Sequence, residues 1–284
     1  MREFKGKVAV ITGAASGIGR GLAERFGAEG MKLVLADVEE KALFETAEAL
    51  KKTGASVLAV PTDVSQAAAV EALAARTVET FGGVHLVCNN AGVGLGGLSW
   101  EYELSTWEWI VGVNLWGVIH GLRNFVPLLL RQGEGHIVNT ASMAGVVTMP
   151  GLAPYCATKH AVIAMSECLH HELSQVSAAG GARVGISVLC PGAVKTRIVD
   201  CERNRPRPLR GSRPPTASEQ AIDRAIRDSN ESGMDPLQVA ELTLQAIREE
   251  RFYVFTHPEI KPAFRQRFDE LLEEKGPAAC IVLD

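Results

Sequence analysis

Tyr155 and Lys159 stand four residues apart in the stretch "YCATK". On a helix that spacing puts both on one face. A phenol beside an ammonium can move a proton. A free tyrosine titrates near ~10 and is a poor acid–base group at neutral pH. A cation one turn away favours the phenolate, and lowering the value by about 3 units takes roughly 4 kcal/mol of differential stabilisation. The same spacing also makes ordinary surface pairs, so the pair gains its meaning from what else the chain holds.

A second stretch is "TGAASGIG", residues 12–19, which follows an apolar run. Glycines in the first turn of a helix cost stability. They are needed where a strand hands over to a helix whose unpaired N–H groups receive a phosphate. Gly13 can make the tight turn, Gly17 lets backbone approach a diphosphate, and Gly19 lets the helix pack close to the sheet. Asp37 ends the next strand, 18 residues after Gly19. An acid there accepts hydrogen bonds from both hydroxyls of an adenosine ribose and repels a 2′-phosphate. Ala15, Ala36 and Val38 offer such a phosphate no basic partner. The expected cofactor is therefore NAD rather than NADP.

Positioning these groups takes a regular frame. Apolar, β-branched runs predict strands over 7–12, 32–37, 56–63, 85–90, 135–142, 184–192 and 252–256. Helical periods predict helices over 17–29, 39–52, 65–81, 105–132 (broken near Pro127), 155–177 and 260–275, and Asp235–Pro236 opens another by the cap-then-proline rule. Strictly alternating strands and helices imply a parallel sheet covered on both faces. The expected fold class is α/β: a single doubly wound Rossmann domain over 1–284, with about seven parallel strands. An Arg/Pro-rich insertion over 195–234 is read as a lid, and 258–284 as a C-terminal helix and tail.

Composition excludes some partners. The 284 residues are 46% hydrophobic and 22% charged, with a net charge of −4 and a pI near 6.0. Nucleic acids and anionic membranes call for a basic footprint. No apolar run approaches the roughly 20 residues of a membrane helix, and no signal peptide is evident. Six scattered cysteines without a CxxC pair point to free thiols, no metal site and a cytoplasmic setting. The tail "CIVLD" is not a prenylation box, because four residues follow Cys280.

"TGAASGIG", "NNAG" (89–92), "VNLWG" around Asn114, Ser142, "YCATK" and "PGAVKT" (191–196) occur in order. Together they resemble the short-chain dehydrogenase/reductases, in their compact single-domain branch. The likeness covers the chain up to about Thr196, and the TGxxxGxG spacing separates it from the longer epimerase branch. It implies that Tyr155 is the general acid/base and that Lys159 lowers its pKa and binds the nicotinamide ribose. It implies that Ser142 hydrogen-bonds the substrate oxygen and that Asn114 holds a water in a proton relay. Asp63 and Val64 would contact adenine, Asn90 the adenosine side, and Thr196 the carboxamide or pyrophosphate. Gly13, Ser16, Gly17, Ile18, Gly19, Ala91, Gly92, Pro191, Gly192 and Val194 would complete the cofactor site. Members of the family are commonly dimers or tetramers paired through long helices, here 105–132 and 155–177, which carry Trp107, Trp109 and Trp116.

The substrate is less defined. Leu95, Met143, Met149, Leu152 and Trp116 are expected near the pocket, which suggests a bulky apolar or aryl secondary alcohol or ketone. The layout from "TWEWIVGVNLWGVIHG" to "FYVFTHPEIKPAFRQRF" is similar to bacterial members that oxidise bulky benzylic alcohols. The insertion holds Arg197, Arg203, Arg205, Arg207, Arg210 and Arg213, which either grip a carboxylate or CoA phosphate or simply face water as a mobile loop. A different class, an NAD(H)-sensing protein without turnover, is disfavoured by the intact Tyr155, Lys159, Ser142 and Asn114.

Overall fold

Strand β1 (Val8–Thr12) is buried at every position, and its side chains divide between two cores. Ala9 and Ile11 meet one helical layer, Val8 and Val10 the other. Such two-sided burial is why the strand reads as an unbroken apolar run. The computed structural model describes residues 1–278; Cys280 and the tail 279–284 lie outside them. β2 (Lys32–Asp37), β3 (Val57–Pro61), β4 (Leu86–Asn89), β5 (Glu134–Thr140), β6 (Arg183–Cys190) and β7 (Tyr253–Phe255) complete the sheet. Among the described residues it has seven strands in the order β3-β2-β1-β4-β5-β6-β7, all parallel. The order reverses between β1 and β4, and the crevice at the carboxyl ends of these strands is where such sheets bind ligands.

The helices are α1 (Gly17–Ala28), α2 (Glu40–Lys52), α3 (Ala67–Phe81), α4 (Leu104–Val111), α5 (Gly117–Gln132), α6 (Ala153–Ala178), α7 (Ala217–Glu231), α8 (Pro236–Arg248) and α9 (Lys261–Leu272). α1, α2 and α8 supply Phe26, Leu43 and Leu244 to one core; α3, α5 and α6 supply Leu73, Phe125 and Leu173 to the other. The predicted break near Pro127 is not there. Pro127 lies inside α5 on its exposed side, and the long helix is instead interrupted by a π-turn, Gly112–Trp116. π-turns recur at functional sites, and Asn114 sits at the centre of this one.

Beneath the crevice runs a buried polar ladder. Asn89 Nδ2 donates to Asn139 Oδ1 at 2.9 Å, and Asn139 Nδ2 donates to Ser166 Oγ at 3.0 Å. It ties β4 and β5 to α6, the helix that carries Tyr155 and Lys159. Asn139→Leu would strip both neighbours of a partner in a low-dielectric interior. The expected loss is about 2–4 kcal/mol in chemical denaturation; stability within about 0.5 kcal/mol of the parent would contradict this role.

Candidate active site

The turn after β1 is built as its glycines suggest. Gly13 has φ +66, and a Cβ there would lie 2.9 Å from Ala91 Cα. A Cβ on Gly19 would lie 2.1 Å from the Gly13 carbonyl oxygen, so only glycine lets α1 close onto the turn. At Gly17, φ is +53 and a Cβ would meet the Thr196 side chain, which places the start of α1 against the "PGAVKT" segment. Ser16 makes no side-chain cap, and the first turn of α1 holds no acid. An uncapped helix start carries unpaired N–H groups and partial positive charge, which suits a diphosphate.

This turn opens into a cavity of about 920 Å³. That is the upper end of ligand-pocket sizes, with room for a dinucleotide and a second molecule. Its walls include Gly13, Ser16, Gly17, Ile18, Asp37, Asp63, Val64, Asn90, Ala91, Gly92, Ser142, Tyr155, Lys159, Pro191, Gly192, Val194 and Thr196. The structure thus brings together every expected site residue except Gly19 and Asn114, which stand behind the wall. Asn90 is a strut as well as a wall residue: its Nδ2 donates to the Thr12 carbonyl at 2.9 Å, and its Oδ1 accepts from Thr140 Oγ1 at 3.3 Å.

Asp37 ends β2 with its carboxylate on two backbone donors, Ala15 N at 3.0 Å and Glu39 N at 2.9 Å. Burial raises its pKa, opposed by those same N–H groups. Asp37 also lines the cavity.

At the other end α6 presents Tyr155 and Lys159. The Lys159 ammonium lies 5.5 Å from the Tyr155 ring centroid and donates to the Thr140 carbonyl at 2.9 Å. Ser142 Oγ accepts from Ala144 N at 3.1 Å, and its hydrogen bond with the phenol pulls the Tyr155 pKa down. Burial outweighs that pull and holds the phenol up at about 12, while burial drives Lys159 down to about 8. The sequence expectation was that the ammonium lowers the phenol. In the chain alone desolvation wins, because burial penalises the phenolate and the ammonium alike.

Asn114 is fully buried, and its amide is occupied: Oδ1 accepts from Val93 N at 2.8 Å and Nδ2 donates to the Val93 carbonyl at 2.9 Å. It fixes the ribbon after β4 that passes Lys159. Nδ2 also donates to Thr158 Oγ1 at 3.4 Å, which leaves one lone pair on Oδ1.

The insertion is no loose loop. Lys195 N donates to Met234 O and Met234 N to Ala193 O, both at 2.9 Å, so its ends lie side by side. Between them, short 3₁₀ turns Ile198–Asn204 and Arg207–Leu209 lead into α7. Thr216 and Glu219 close a reciprocal capping box on α7. The pattern T-x-x-E in "TASE" announces this helix, and the sequence reading passed over it. α7 lays Ala225, Ile226, Ser229 and Asn230 along the cavity. Asn230 Nδ2 is buried there and unpartnered. His257, after β7, also lines the cavity; its Nδ1 accepts from Gly192 N at 3.2 Å.

Arg203, Arg205 and Arg213 of the insertion are internal struts. Arg205 is 5% exposed, pairs with Glu202 at 2.7 Å and lies over the Trp109 ring. Arg213 pairs with Glu219 at 2.8 Å, and Arg203 is bound to Glu39. Met143, Met149 and Leu152 line the cavity as expected. Leu95 does not; it packs in a cluster with Val93 and Trp109. Trp109 is a buried cavity wall rather than an interface residue, and Trp116 is exposed, against His120 and outside the pocket.

Residues 7–206 match the family model for short chain dehydrogenases. The chain belongs to that family. The short chain dehydrogenase from Burkholderia phymatum, solved in complex with NAD, is 49% identical, with a TM-score of 0.95 and 98% of each chain covered. The 1-deoxy-11-beta-hydroxypentalenate dehydrogenase of Streptomyces exfoliatus is 37% identical over 93% of this chain and 88% of its own length. The C alpha-dehydrogenase of Sphingobium sp. is 30% identical over 98% of this chain and 89% of its own. This short chain dehydrogenase thus spans 88%, 89% and 98% of the lengths of these three relatives. Among its described residues no helix is long and apolar enough to cross a membrane.

Proposed function

We propose that the chain is an NAD-dependent oxidoreductase for a bulky, largely apolar secondary alcohol or its ketone. The observation that carries this reading is one cavity with a bare, uncapped helix start and Asp37 at one end and Ser142, Tyr155 and Lys159 at the other. The NAD complex of the Burkholderia phymatum relative supports the same cofactor.

The glycine turn and the start of α1 would hold the diphosphate, Asp37 the adenosine ribose, and Lys159 the second ribose. When bound, the cofactor supplies the hydride acceptor or donor. The Tyr155 phenol oxygen takes the alcohol proton during oxidation and returns it during reduction. The Ser142 hydroxyl donates to the substrate oxygen. α7 closes the cavity against water. Met143, Met149, Leu152 and Ile226 make an apolar wall, with Asn230 as a single donor for a polar group on the substrate. Capture of a CoA phosphate or carboxylate by Arg203, Arg205 or Arg213 is not favoured, because each is already paired.

Exposed Leu104 on α4 and Trp116 in the π-turn support a homodimer or homotetramer formed through this layer. Five free cysteines among the described residues, four of them buried, fit a reducing cytoplasm.

The experiment is to incubate the protein with NAD and a panel of aryl secondary alcohols and follow NADH. Turnover is expected, and silence across the panel in a protein that binds NADH would contradict the substrate class. Asp37→Ala should weaken NADH binding about 10–100-fold through loss of charge-assisted bonds to the ribose. It should also relax the rejection of NADPH. An unchanged NADH/NADPH ratio would contradict the role given to Asp37.

A further inference from the structure

Asp37 does not act alone at the adenosine end. Glu39 precedes α2, lines the same cavity, and donates its N–H to Asp37 Oδ1 at 2.9 Å. Its carboxylate receives a guanidinium from 164 residues along the chain. Arg203 Nε donates to Glu39 Oε2 at 3.1 Å, and Nη2 donates to Oε1. Asn204 Nδ2 adds a bond to Oε1 at 3.0 Å. Arg203 Nη1 donates to the carbonyls of Arg197 at 2.9 Å and Asp200 at 2.8 Å, so the guanidinium is fixed on both sides. Arg203 and Asn204 line the cavity with Asp37. The pair is partly buried, 24% exposed at Arg203 and 19% at Glu39, and Arg203 is the first cause that holds the Glu39 carboxyl below its ordinary value.

The sequence puts no cation at Ala15, Ala36 or Val38 beside Asp37, and Lys41 is 92% exposed, but the fold brings a guanidinium. A guanidinium is the side chain best matched to a phosphate, which it grips with two parallel hydrogen bonds. At this mouth the charges are Asp37, Glu39 and Asp63 against Arg203 and Arg197, the last a cavity residue without a carboxylate partner among the described residues. They sum to −1. A fork already committed to Glu39 has nothing to offer a 2′-phosphate.

We propose that Glu39 is a second cofactor-discriminating residue, which acts by occupying Arg203. Asp37 rejects the 2′-phosphate directly; Glu39 withholds the arginine that would otherwise receive it. The inference rests on the reading of the cleft as a dinucleotide site. It applies to the insertion as well: Arg203 belongs to the 3₁₀ turn that begins the lid, so the lid is part of the cofactor site and not only of the substrate chamber.

The test is a double-mutant cycle read by fluorescence titration of NADPH and NADH, with no substrate present. Glu39→Gln frees Arg203 and should tighten NADPH about 5- to 20-fold while NADH changes less than about threefold. In an Arg203→Ala background the same Glu39→Gln change should alter NADPH affinity less than about twofold. The NADPH gain should also shrink at raised salt, as an uncovered charge pair requires. An equal gain in both backgrounds would mean that Glu39 merely repels phosphate, and would overturn the proposal. No gain in either would overturn it too. Parent protein that binds NADH with a flat cycle rejects this proposal alone, whereas parent protein that binds neither nucleotide rejects the cofactor reading itself.

Discussion

Tyr155→Phe is expected to cut kcat/KM for alcohol oxidation by about 10²–10⁴-fold and leave the NADH dissociation constant within about threefold. The variant removes one oxygen atom and keeps the ring against Gly94, where a glycine Cβ would lie only 3.2 Å from it. The phenol is the group positioned to take the alcohol proton. Burial holds its pKa at about 12 in the chain alone, so the phenolate fraction grows roughly tenfold per pH unit below that value. The proton acceptor is the deprotonated form. The parent's oxidation rate should therefore rise with pH from 7 to 10, whereas its ketone reduction rate, which uses the protonated phenol, should stay nearly flat over the same range. The phenylalanine variant should lose that rising limb along with its activity. Residual oxidation that still climbs with pH would assign the proton transfer to another group.

Lys159→Met should abolish activity and raise stability. Burial lowers the Lys159 pKa from 10.5 to about 8. The folded chain thus disfavours the ammonium, and at pH 7 that amounts to about 3 kcal/mol. Methionine removes the buried charge but strands the Thr140 carbonyl, which returns about 1 kcal/mol. The net expectation is a gain of about 1–3 kcal/mol, or a Tm higher by about 2–8 °C, for the cofactor-free protein at pH 7. The sign of the pH dependence follows from the direction of the shift. The folded pKa is depressed, so between pH 8 and 10.5 the unfolded chain binds more protons and the parent grows more stable with rising pH. The advantage of the variant should shrink across that range. A lower Tm at pH 7, or a constant difference between pH 7 and 10, would contradict this account. The buried ammonium is then a case of function held at the expense of stability.

The catalytic end and the frame were legible in the sequence because both depend on local spacing. β2 was placed over 32–37 from its apolar run, and the glycine turn, Asp37 and the Tyr155–Lys159 pair each lie within one element or one turn. What the sequence hid depends on chain segments that meet only in the fold. Arg203 reaches Glu39 from another part of the chain, and Arg205 is swallowed by Trp109, Ser105 and Thr106. A run of arginines looks solvent-facing until its partners are known. The π-turn was hidden for a different reason: "GVNLWG" carries no breaker stronger than glycine, and Pro127, the obvious one, is tolerated on the exposed side of α5. α7 was readable from its capping box and was missed because composition, rich in Arg and Pro, was given more weight than the cap.

The balance of charge in the site also escaped local reading. A lysine one turn from a tyrosine looks like a device for lowering the phenol's pKa. Buried, with the Thr140 carbonyl as its hydrogen-bond acceptor, the lysine is itself driven toward neutrality. Spacing reveals which groups meet, whereas desolvation depends on everything packed around them.

The central claim is that the bare turn after β1, the uncapped start of α1 and Asp37 together hold a dinucleotide without a 2′-phosphate. Isothermal titration of NADH and NADPH into the folded protein tests it most directly. The account predicts saturable 1:1 binding of NADH, at least about tenfold tighter than NADPH. An absence of heat with both nucleotides, or tighter binding of NADPH, would contradict it.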